Sequence, residues 1–213
     1  SIKLKKMVFT INFQKDDWLE KKYDEALTEL GQFFRINWTI DKPKIFIVPD
    51  RKTFDKIKGQ ETPRWLVGMG GLGYGGVYLL DRTNFEKESE NPYSEERYAA
   101  LLKHELAHCF TDILTKNYRY PIWLMEGLAI YLSNQLIWRK KPEKFSMFLN
   151  SFDHQKEGVY SESGFIVKVL IEKYGKEKMI ELLKQLSNRP DETSFGTYFK
   201  NTYGIDLNYE AFM

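Results

Sequence analysis

Two histidines four residues apart, with a glutamate beside the first, carry the chemistry of this chain: His104-Glu105-Leu106-Ala107-His108. On a helix, positions i and i+4 share one face about one turn apart, so both imidazoles can reach a single metal ion. Glu105 lies about 100° round the same helix from His104. That offset suits a general base facing a water in the metal's open position better than it suits a ligand.

Two histidines alone make a poor zinc site, so a third donor is required. The segment Trp123-Leu124-Met125-Glu126-Gly127-Leu128-Ala129 sets Glu126 in an apolar helix start, where an unpaired carboxylate is expensive to bury and a cation would remove the cost. The short link Lys116–Pro121 lets the start of the second helix return to the exposed face of the first. Two His and one carboxylate leave a tetrahedral corner for water, the mark of a catalytic zinc. A bound zinc brings that water's pKa toward about 7, and Glu105 takes its proton and passes it to a leaving amine.

The residues His104–His108, then Pro121–Tyr131, then Gly164–Gly175 with its end Lys173-Tyr174-Gly175, give the chain a likeness to a known family. It resembles the gluzincin zinc metallopeptidases, in particular the small MA-like peptidase domains related to the thermolysin-like and aminopeptidase branches. The likeness covers about residues 65–187 and implies zinc on His104, His108 and Glu126, the glutamate standing eighteen residues past the second histidine. It also implies hydrolysis of peptide bonds with Glu105 as the base, and a tyrosine near Tyr160 that hydrogen-bonds the oxyanion. Two features depart from it. The thermolysin-like branch carries an Asp four residues after its third ligand, where this chain has Ile130, so Asp112 becomes a candidate to orient a zinc histidine. The aminopeptidase branch has an amine-binding Glu in the strand before the zinc helix, whereas Gly68–Gly76 has none, which favours an endopeptidase-like enzyme over an aminopeptidase.

Other residues have weaker claims. His154 could serve the oxyanion, though a lone loop histidine more often faces solvent. Cys109 points about 100° away from the metal side and reads as core. Trp65, Trp123 and Trp138 read as core or cleft wall, and Gly70–Gly75 could offer backbone groups to an extended peptide. Gly71-Leu72-Gly73-Tyr74-Gly75-Gly76 matches a dinucleotide-binding glycine pattern, but a strand follows where that pattern needs a helix. A peptidase fold that has lost turnover and serves as a binding or regulatory domain is the other alternative.

Composition narrows the partners. With 32 Lys plus Arg against 30 Asp plus Glu, the net charge of +2 calls for neither nucleic acid nor an anionic membrane. One cysteine excludes an internal disulfide and a multi-cysteine zinc site. No stretch reaches the roughly 18–20 apolar residues of a membrane span. The chain opens at Ser1 with neither an initiating Met nor an apolar signal core, as expected of a trimmed or processed form. Compartment and oligomeric state stay open, and the expected partner is a peptide or protein substrate.

The elements that must position the site follow from periodicity. Strands are expected at 7–13, 36–40, 44–49 and twice within 67–80 across a glycine turn. Helices are expected at about 16–34, 53–58, 95–114, 122–138, 161–174 and 176–186, with a surface loop at 81–94 and weaker pieces after Pro190. The expectation is an α+β, zincin-like fold in residues 1–213. A strand-rich lobe with the zinc helix (about 1–115) would face a helical lobe (about 116–213) across a cleft.

Overall fold

A computed structural model describes residues 11–156 and 158–212; the strand expected at 7–13 lies largely outside them. The fold is mixed α+β. Its elements run α1 Asp17–Phe34, β1 Lys44–Val48, α2 Arg51–Lys58, β2 Gly68–Gly71, β3 Gly76–Leu80, α3 Phe85–Glu88, α4 Glu95–Thr115, α5 Ile122–Leu132, α6 Val159–Tyr174, α7 Lys176–Gln185 and α8 Glu192–Tyr203.

Helix starts are set by side chains that take up otherwise unsatisfied N–H groups. Asp16 accepts from Leu19, Asp50 from Thr53, Ser94 from Arg97 and Asp191 from Ser194. α5 has no such cap. Its first N–H groups, on Ile122 and Trp123, donate instead to the carbonyls of Phe152 and Ser151, which ties the helix carrying Glu126 to a distant segment.

The three strands lie in the order β1-β3-β2, with β1 parallel and β2 antiparallel to β3. Strand alternation splits β3 between two cores: Val77 and Leu79 face the helices, while Tyr78 joins Val48, Phe54 and Met69 under α2. The main core gathers α1, α4, α5, α6, α7 and α8 around Phe110, Trp123, Leu170 and Phe199, with Phe34 stacked on Phe110 at 5.5 Å. α5 and α6 cross closely because Gly127 has no side chain; a Cβ there would lie 2.5 Å from the Ser163 carbonyl oxygen.

Several expectations need correction. Residues 36–40 form no strand; they fold over the end of α1, where Trp38 packs edge-on against Phe110 at 5.1 Å. Packing against aromatic core wins there over β propensity. Residues 81–94 are not a bare loop, because Phe85 is buried and anchors the helical turn α3. α5 stops at Leu132, since Asn134 takes the left-handed conformation (φ 61°), and residues 135–138 continue as a 3-10 turn. α6 begins at Val159, so Tyr160 stands within its first turn and not before it. The weak pieces after Pro190 resolve into α8, a 12-residue helix. Among the described residues no helix is long and apolar enough to cross a membrane.

Candidate metal centre

His104 and His108 stand on one face of α4, and the second turn of α5 carries Glu126 against them. Nε2 of His104 lies 3.3 Å from Nε2 of His108 and 3.4 Å from Oε2 of Glu126, and Nε2 of His108 lies 3.6 Å from Oε1 of Glu126. Zinc bonds of about 2.0–2.1 Å directed to tetrahedral corners separate their donors by about 3.3–3.4 Å. The three donors therefore have the spacing that one small divalent ion needs, and among the described residues they form the group able to hold one. The donor chemistry agrees, since two imidazole nitrogens and a carboxylate suit zinc better than the all-oxygen shell of calcium or magnesium.

The electrostatics point the same way. Burial pushes His108 down to about 4, which keeps its ring neutral and its lone pair available. Burial opposes ionisation of Glu126 too, but the hydrogen bond and charge of His104, with the charge of Arg119, pull the carboxyl below its usual range. On His104, burial opposes protonation, yet the bond to Glu126 and the charge of Glu105 overcome it, so its pKa is raised. Two carboxylates thus draw positive charge into this corner.

Glu105 is buried and has no hydrogen bond to its carboxylate among the described residues; burial raises its pKa to about 7. That value suits a group that must both take and return a proton. β2 makes room for it: a Cβ on Gly68 would meet Glu105 Oε1 at 2.7 Å, and one on Gly70 would meet the Glu105 carbonyl oxygen at 2.4 Å. The glycine-rich run thus lets a strand approach α4, and β3 follows it, in place of the helix that a dinucleotide site requires.

Tyr160 is half-buried at the start of α6. Its ring packs against Trp65 at 5.8 Å, its hydroxyl oxygen accepts from Gln155, and its pKa is raised by burial and by the charge of Glu126. Because the oxygen accepts from Gln155, the phenolic hydrogen is left to donate elsewhere. His154 sits on the surface beside Asp153, and Cys109 is wholly buried in the core.

Asp112 does not orient a metal histidine. Its carboxylate takes two bonds from Arg119 (3.0 and 2.6 Å) and one from the Leu72 N–H (2.8 Å), while Nδ1 of His104 is buried without a partner. Arg119 also donates to the Gly70 carbonyl at 3.3 Å, so part of the outer side of β2 is already occupied.

Three residues escaped the sequence reading. Glu162, buried two positions past Tyr160, accepts from the N–H groups of Ser146, Met147 and Phe148 and rivets that turn to α6. Flanked by Ser161, Ser163 and Gly164, it carries none of the apolar surroundings that marked Glu126. Arg119 and Arg139 sit in polar stretches that look like ordinary surface. A surface cavity of about 280 Å³ is lined by Phe34, Ile36, Leu114 and neighbours and includes none of the metal donors.

Compared with protein-family models, with curated proteins and with solved structures, the chain shows no match.

Proposed function

We propose that this protein is a zinc-dependent metallopeptidase of zincin-like fold, endopeptidase-like in its action. The observation that carries the reading is the convergence of His104, His108 and Glu126 at tetrahedral donor spacing, with Glu105 on the adjoining position of the same helix. When bound, zinc would polarise the scissile carbonyl and acidify the attacking water. Glu105 takes the proton from that water and returns it to the leaving amine, a task its raised pKa favours. Tyr160, its ring packed against Trp65, donates its phenolic hydrogen to the oxyanion as it forms.

β2 is the edge strand that an extended peptide can line. The bond from Leu80 N–H to the Val67 carbonyl turns Val67, Met69 and Gly71 toward β3 and leaves Gly68 and Gly70 facing outward beside Glu105. With the Gly70 carbonyl engaged by Arg119, Gly68 and the Gly70 N–H are the outward backbone groups of this buried strand that neither β3 nor Arg119 takes up.

The test is metal analysis together with turnover of a mixed peptide pool, with and without chelator. One zinc per chain and chelator-sensitive cleavage are expected. Glu105→Gln should keep the metal and lose about 10²–10⁴-fold in turnover. Cleavage that survives either chelation or Glu105→Gln overturns the reading.

A further inference from the structure

Two arginines carry charge to the metal centre. Arg119 acts on Glu105, His108 and Glu126, but Asp112 answers its charge in a two-bond pair, and it needs no further anion. Arg139 is different. It follows the 3-10 turn Gln135–Trp138, is half-buried, and has no carboxylate within ion-pair distance among the described residues. Its Nη1 donates to the main-chain carbonyl of Tyr160 at 2.9 Å, and its Nε is buried with no partner. Nη2 is neither bonded nor among the buried unpartnered atoms.

A half-buried guanidinium without a counter-ion is an unfavourable arrangement that an anion relieves. Glu126 attracts Arg139 electrostatically, but its two oxygens are turned to His104 and His108. Arg139 also acts on His104 and on the phenol of Tyr160, which places it within electrostatic reach of both the metal donors and the oxyanion side. The end of the fork, with one hydrogen of Nη1 and both of Nη2 unspent, matches the two oxygens of a carboxylate.

We propose that Arg139 forms a carboxylate subsite beside the metal centre, taking either the free C-terminal carboxylate or an Asp or Glu side chain of the bound peptide. The proposal rests on the peptidase reading for the nature of the ligand. A guanidinium that served only to fasten the end of the α5 segment to α6 would use its one bond to Tyr160 and would not discriminate between peptides.

Zinc-loaded Glu105→Gln protein, which should bind without cleaving, is dialysed to equilibrium against three hexapeptide pools read by mass spectrometry. One is neutral with amidated C termini, one is neutral with free C-terminal carboxylates, and one is amidated with a single Glu at varied positions. At least tenfold stronger retention of one carboxylate pool over the neutral amidated pool is expected, and which pool it is identifies the source of the carboxylate. Adding Arg139→Gln should bring the ratio to within twofold of unity, and Arg139→Lys should restore part of it. Equal retention of all pools, no retention of any, a preference unchanged in Arg139→Gln, or an equal loss across pools would each overturn the subsite. The peptidase reading fails separately: if the zinc-loaded protein with Glu105 intact cleaves no pool while the carboxylate preference persists, the subsite stands and the hydrolytic role falls.

Discussion

The carboxylate of Glu105 occupies the space that a side chain on Gly68 would need, at 2.7 Å from the position of its Cβ. Gly68→Ala should therefore displace the base while leaving the metal donors in place, lowering turnover at least tenfold with zinc content unchanged. Gly70→Ala meets the Glu105 backbone at 2.4 Å and should destabilise the fold by about 1–3 kcal/mol in denaturant titration. Gly73→Ala has nothing within 4 Å and serves as the control. Equal effects at 68 and 73 would contradict the packing argument.

Metal removal should be visible as a loss of stability as well as activity. A ligand held by the native state alone contributes about 4 kcal/mol at a thousand times its Kd. Zinc should raise the melting temperature, chelator should reverse it, and His108→Ala or Glu126→Ala should abolish the response. Since loss of an outer partner typically costs 10–100-fold in metal affinity, loss of a direct donor should cost more. An unchanged zinc response in Glu126→Ala would remove that residue from the site.

Asp112 links three parts of the chain: α4, the Arg119 segment and the turn at Leu72. Asp112→Ala leaves a half-buried guanidinium and a backbone N–H without their acceptor, at an expected cost of about 1–3 kcal/mol. Thermal melts of Asp112→Ala, Arg119→Met and the double variant should show coupling, with the double variant less destabilised than the sum. Strict additivity would show that the pair acts independently.

The buried Cys109 thiol is pushed up to about 12 by desolvation. Only about one molecule in ten thousand carries the reactive thiolate at pH 8. Iodoacetamide should leave the native protein unlabelled there and modify it readily in denaturant. Because the folded pKa lies above the unfolded one, the neutral thiol carries no stability penalty below about pH 8.5 and a growing one as pH rises toward 12. Rapid native labelling at pH 8 would show that α4 opens locally.

Much of the architecture was legible in local signals. The strand expected at 44–49 and the helices expected at 95–114, 161–174 and 176–186 form at Lys44–Val48, Glu95–Thr115, Val159–Tyr174 and Lys176–Gln185, with the Ser94 cap and the first-turn acids Glu95 and Glu96 starting α4. Errors fell where a distant surface competes with local preference, as with Trp38 on Phe110 and Phe85 in its buried turn. Tyr160 was misplaced because the first turn of α6 has no capping side chain to mark it.

The spacing of His104, Glu105 and His108 is a property of the helix, whose 3.6-residue period puts the two imidazoles on one face whatever surrounds them. The candidacy of Glu126 also followed from sequence, since an acid in an apolar helix demands a partner. Only the tertiary structure decided that its oxygens lie 3.4 and 3.6 Å from the two rings, and that Asp112 bonds Arg119 instead of a histidine. Those contacts join residues from separate elements, and chain connectivity restricts such pairs too weakly for any local pattern to name them.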